Sequence, residues 1–130
     1  MGSLDWKVSA LGFGCMRLPV KNDNGNEIID EEEAIKMIRY AIDNGVNYMD
    51  TAWNYLGGES ERILGRALRD GYREKVRIAT KLPHWQVKHR EDMDKYLNEQ
   101  LEKLEVNCRD IENIKNVECL PLVTVFSFSG

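Results

Sequence analysis

Three apolar, β-prone runs alternate with three amphipathic segments at helical spacing, and this β-α-β-α-β-α order over roughly residues 6–104 limits the fold more than any other feature. A strand joined through a helix to the next strand of the same sheet forms a right-handed crossover, which makes the two strands parallel. Repetition of that unit indicates an α/β fold, a parallel sheet or barrel with helices packed against it.

The first run, WKVSALGFGCMRL at residues 6–18, carries Gly12 and Gly14 inside it. Glycine within a strand marks a close approach of backbone or ligand, and relief of crowding at a barrel strand is the favoured reading. Gly12-Phe13-Gly14 begins like a dinucleotide fingerprint, but Arg17 stands where the third glycine belongs and no helix opens there. The polar KNDNGNEII at residues 21–29 reads as an exposed turn around Asn24-Gly25. Asp30 and Glu33 have capping-box spacing. Ala34, Ile35, Ile38, Ala41 and Ile42 then recur along one helical face, which Asn44-Gly45 ends.

The second run, VNYMDTAWNY at residues 46–55, closes on an aspartate with a tyrosine five positions later. In parallel α/β folds the C-terminal strand ends collect ligands and catalytic groups, so Asp50 and Tyr55 are the first candidates for chemistry. Ser60 is placed to cap a second helix with Ile63, Leu64, Ala67 and Leu68 as its stripe and Gly71 as its stop. The third run, VRIATK at residues 76–81, brings Lys81 to the same end of a neighbouring strand, within reach of Asp50. After a loop holding His84 and Trp85, a third helix over about residues 90–104 buries Met93, Leu97, Leu101 and Leu104. Glu91 and Asp92 meet its positive N-terminal dipole.

Composition removes several classes of function. A chain of 130 residues, 42% hydrophobic and 31% charged, has the balance of one globular domain, and a net charge of -4 offers no footprint for nucleic acid. The longest apolar stretch, residues 119–128, is too short for a bilayer and contains Pro121. The N-terminus lacks a basic region followed by an apolar run, and Trp6 stands where a myristoylation signal needs Ser or Thr. A cytoplasmic protein is expected. Cys15, Cys108 and Cys119 have unrelated spacings, which favours free thiols over disulfides or a metal site.

Four segments carry a resemblance: VSALGFGCMRL at 8–18, YMDTAWNY at 48–55, ESERILGRAL at 59–68 and ATKLP at 79–83. They resemble successive signatures of the aldo-keto reductases, in particular the bacterial and archaeal type whose complete members carry an iron-sulfur segment near the C-terminus. The likeness covers about residues 7–110, less than half of a family member. It implies the N-terminal part of a (β/α)8 TIM barrel, with about three βα units in residues 1–110 and a divergent tail over 111–130. It also implies reduction of a small aldehyde or ketone with NADPH and no metal. Tyr55 would be the general acid on the carbonyl oxygen. A free tyrosine ionises near pH ~10, so it needs an electrostatic neighbour to act near neutrality. Lys81 would be that neighbour, and Asp50 would hold Lys81 in place and charged. Gly14, Cys15 and Met16, with Asp50, match the strand ends beside the nicotinamide ribose.

The pattern then departs from the family. A fourth strand there ends in a run of the type Ile-Asp-Tyr-Tyr-Leu-Leu-His; here Asp110 matches the aspartate, but Lys115 falls where the histidine belongs. The tail ECLPLVTVFSF at 118–128 has no counterpart; truncation, a frame-shifted or spliced terminus and a deliberate fragment all fit it. Such a chain is expected to be inactive alone and to self-associate through open sheet edges. The alternatives are a noncatalytic fragment or binding module on the same scaffold and, last, a flavodoxin-like domain, which lacks a phosphate loop here. Trp53 and Trp85 read either as pocket walls or as tryptophans packed under loops.

Overall fold

The computed structural model describes residues 6–106; Cys108, Asp110, Lys115, Cys119 and the tail over 111–130 lie outside them. Three short strands, β1 (Phe13–Gly14), β4 (Tyr48–Asp50) and β5 (Arg77–Ala79), form a parallel sheet in the order β1-β4-β5. Gly14 pairs with Asp50 and Asp50 with Ala79, so all three strands finish in register. Bonds from Cys15 N–H to Asp50 O and from Thr51 N–H to Ala79 O, both 2.8 Å, carry the ladder past the strand ends. The long first run thus contributes only two strand residues.

Residues 20–29 are more ordered than an exposed turn. They form an antiparallel hairpin, β2 (Val20–Asp23) and β3 (Asn26–Ile29), apart from the main sheet. The turn falls at Asn24-Gly25 as the sequence suggests, with φ of 51° and 89°. Two successive positive φ values suit a two-residue hairpin, and Asn22 Oδ1 accepts the Gly25 N–H at 2.9 Å. Nearly every residue of the hairpin is exposed, so no alternation of apolar and polar residues announced its strands.

Helix α1 (Glu31–Asp43) starts at Asp30, whose side chain accepts the Glu33 N–H at 3.3 Å; only this half of the capping box forms. Its buried face is Ala34, Ile38 and Ile42. α2 (Ser60–Ala67) adds Ile63, Leu64 and Ala67, and α3 (Arg90–Lys103) adds Leu101, with Leu104 just beyond it; Met49 of β4 and Val76 complete the centre. Each fully buried aliphatic side chain of this kind contributes roughly 1.5–3 kcal/mol. α1 is tied to α2 at the rim: Arg66 makes a two-pronged bond to Glu31 at 2.6 and 2.7 Å, and Arg39 donates to Ala67 O at 2.9 Å, one of the free carbonyls at the end of α2.

Three helix expectations need correction. Ser60 is not the cap of α2: Glu59 holds that position, and Ser60 is fully buried inside the first turn, its hydroxyl donating to Cys15 O and bonded to Thr51 Oγ1, both at 2.8 Å. α2 also ends at Ala67, four residues before Gly71. On α3 the buried face is rotated: Met93 is 41% exposed, and Tyr96 and Gln100 are buried in its stead. No helix among the described residues is long and apolar enough to cross a membrane.

Candidate active site

Because β4 and β5 end in register, the residues that follow them share one end of the sheet. Asp50 Oδ1 accepts a hydrogen bond from Lys81 Nζ at 2.7 Å, and Thr51 O accepts a second at 3.0 Å. The two side chains are 34% and 25% exposed, so water screens this pair less than it screens a surface ion pair. The ammonium also lies 4.9 Å from the centroid of the Tyr55 ring. Partial burial draws the Lys81 pKa down, but hydrogen bonding and charge from Asp50 and Tyr55 outweigh it and hold the ammonium above the ordinary lysine value.

Tyr55 reaches this position through a tight turn. The chain at Tyr55–Gly58 takes positive φ at Leu56 (54°), Gly57 (67°) and Gly58 (95°). Left-handed backbone costs a non-glycine residue about 1–2 kcal/mol, so Leu56 is strained while the two glycines are not. Upstream, the Trp53 N–H donates to Lys81 O at 3.1 Å, which ties the loop bearing Tyr55 to the end of β5.

Of the residues matched to a nicotinamide site, Gly14 is exposed beside Asp50, and no atom lies within 4 Å of the place a Cβ would take on it. Met16 is 56% exposed, whereas Cys15 is fully buried in the core. Trp53 is packed: its indole N–H donates to Glu99 at 3.2 Å, and its ring meets Tyr96 edge-on at 5.6 Å. Trp85 is exposed and stands edge-on to the exposed His84 at 5.1 Å, and His84 makes no bond to Lys81. Among the described residues no group of His, Cys, Asp and Glu is arranged to hold a metal ion.

Burial pushes the Cys15 thiol up to about 12, with the Asp50 charge adding to the effect and the Lys81 charge opposing it. Below pH 9.0, its ordinary value, the thiol is neutral whether the chain is folded or unfolded. Above that value the unfolded chain loses the proton first, so stability falls as pH rises toward the folded value. Thermal melts between pH 8 and pH 11 are therefore expected to show alkaline destabilisation that Cys15→Ala reduces. An equal loss in both proteins would exclude Cys15 as its source.

Sequence reasoning missed a buried polar cluster behind Lys81. Glu61 of α2 is fully buried, and its Oε1 accepts from Thr80 Oγ1 at 2.5 Å and from Gln100 Nε2 at 2.7 Å. Gln100 Nε2 also lies 2.9 Å from Thr80 Oγ1 and 3.1 Å from Lys81 O. The Lys103 ammonium approaches Glu61 Oε2 at 3.6 Å and covers the Trp53 ring at 4.8 Å. Burial raises the Glu61 pKa, against the opposing pull of Thr80, Gln100 and Lys103. The available signal was a polar residue in an apolar stripe: Gln100 sits three positions after Leu97 and four before Leu104.

The family model described as "Aldo/keto reductase family" matches residues 10–120. A soybean protein called "Probable aldo-keto reductase 1" is 40% identical over 81 residues, which is 62% of this chain and 22% of that one. The "Uncharacterized oxidoreductase YqkF" of Bacillus subtilis is 36% identical over 81 residues, 62% of this chain and 23% of its own length. Among solved structures, an aldo-keto reductase from Klebsiella pneumoniae in complex with NADPH superimposes with a TM-score of 0.64 at 26% identity, over 76% of this chain and 32% of that one. The holo form of a Bacillus halodurans aldo-keto reductase gives a TM-score of 0.64 at 27% identity, over 81% and 35%. The chain spans less than a quarter of these curated relatives and about a third of these structures.

Proposed function

Since the chain belongs to the aldo/keto reductase family and its described residues form the N-terminal part of a (β/α)8 barrel, we propose that it carries the proton-donating half of an NADPH-dependent carbonyl reductase site, working in the cytoplasm on a small aldehyde or ketone. The observation that carries this reading is the Lys81 ammonium held at 2.7 Å by Asp50 with the Tyr55 ring 4.9 Å away. Tyr55 donates its proton to the carbonyl oxygen as that oxygen gains negative charge. Lys81 stabilises the phenolate left behind, and Asp50 with Thr51 O fixes the ammonium so that no reorganisation is needed at that moment. NADPH, when bound, supplies the hydride. The open space over Gly14 beside Asp50 suits a group lying against the strand ends, and Gly14, Met16 and Asp50 are the residues here that would meet it.

Lys115 at the position of the family's histidine favours a second reading, a noncatalytic module on the same scaffold. Fluorescence titration with NADPH, followed by NADPH oxidation with a panel of aldehydes and ketones, separates the two. Against the inactivity expected of this chain alone, the reductase reading expects saturable binding and turnover that Tyr55→Phe lowers by about 10²–10⁴-fold. Absence of saturable binding at millimolar cofactor would leave the noncatalytic reading.

A further inference from the structure

We propose that Gln100 is a positioning residue that fixes the Tyr55 turn against Lys81 through the Lys81 backbone carbonyl. That carbonyl accepts two bonds, from the Trp53 N–H and from Gln100 Nε2, each 3.1 Å, which occupies both of its lone pairs. The Lys81 side chain bonds Asp50 and Thr51 O, so main chain and side chain together hold the segment leading to Tyr55 at both ends. Tyr55 follows Trp53 by two residues, and the Lys81 ammonium lies 4.9 Å from its ring centroid.

The amide of Gln100 has one workable orientation. Its nitrogen faces Lys81 O, a backbone carbonyl that can only accept, so the NH2 edge must point toward it. With 1% exposure and three polar atoms within 3.1 Å of its nitrogen, which has two hydrogens to share among them, the side chain has no freedom to turn away. The same face of α3 holds the Trp53 ring through Tyr96, Glu99 and Lys103, which lie at helical spacing around Gln100. α3 therefore grips both the loop of the acid and the carbonyl behind its cationic neighbour. The hydrogen-bond part of the proposal stands by itself, and its catalytic consequence rests on the reductase reading above.

Two variants distinguish positioning from mere support of the buried cluster. Gln100→Leu removes the donor to Lys81 O, whereas Thr80→Val weakens the Glu61 cluster without touching that carbonyl. Both are expected to lower the melting temperature. In Gln100→Leu alone, hydrogen exchange of the Trp53 amide rises about tenfold, the loss of one hydrogen bond's worth of protection. Turnover number falls by about the same factor, with KM unchanged. Equal effects of the two variants on Trp53 exchange, or no effect of either, would overturn the proposal. Should the burial of Glu61 without Gln100 prevent folding, the comparison of Glu61→Leu with Glu61→Leu/Gln100→Leu tests the same contrast with no carboxylate left unpaired. Raised Trp53 exchange in Gln100→Leu, in a protein whose wild type reduces no carbonyl, supports the positioning role and removes the reductase reading.

Discussion

Lys81→Met is expected to lower kcat/KM for carbonyl reduction by about 10²–10⁴-fold, the range for loss of assisted proton transfer. On the proposed reductase reading, methionine would fill much of the lysine's volume but leave nothing to balance a phenolate at Tyr55, and the barrier would rise at the step where charge appears. It also strips Asp50 of its 2.7 Å partner and leaves a half-buried carboxylate without its cation. That second effect is structural and must be separated from the first. Asp50→Asn/Lys81→Met removes both charges together, and its stability is expected to recover toward wild type while turnover stays low. Steady-state kinetics and thermal melts on the three proteins decide the matter. Turnover by Lys81→Met within threefold of wild type would exclude Lys81 from proton transfer.

The second large effect is expected at Gly65. A Cβ there would lie 2.7 Å from Lys103 O, 2.8 Å from Leu104 C and 2.9 Å from Leu104 O, all of them backbone atoms. Backbone cannot rotate aside as a side chain can, so Gly65→Ala must push the end of α3 away from α2. Overpacking of this kind costs about 1–3 kcal/mol, a drop of several degrees in melting temperature. The same displacement would loosen Gln100 and Lys103 from Glu61. Gly14→Ala is the counterpart, since its Cβ meets no atom within 4 Å, and its stability is expected to match wild type within about 0.5 kcal/mol. Equal stability of the two variants would mean that α2 and α3 are not in close contact at Gly65.

The parallel order of strands, the position of α1 and the meeting of Asp50 with Lys81 were all legible in the sequence. Periodicity reveals which face of a segment is buried, and strand ends follow from where apolar runs stop. The hairpin over residues 20–29 was not legible beyond its turn, because strands exposed on both faces leave no alternation to read. Ser60 misled for a related reason. A serine ahead of an apolar stripe has the composition of a cap, but burial against Cys15 O and Thr51 gave its hydroxyl other partners. Glu61 stood inside a motif and Gln100 inside the third helical segment, each without a role, since a buried carboxylate becomes intelligible only when its donors are known, and those come from residues 19 and 39 positions away.

What the sequence determined by itself about this protein is its local content: which runs bury, where the chain turns, and that Asp50 and Tyr55 follow one strand and Lys81 the next at the same end. Those properties depend on neighbours a few residues apart. Only the tertiary structure decided how the three residues are held. The Lys81 carbonyl shared by Trp53 and Gln100, and the Glu61 cluster behind it, depend on bonds between segments distant in the chain, which form only once α2, α3 and β5 are packed together.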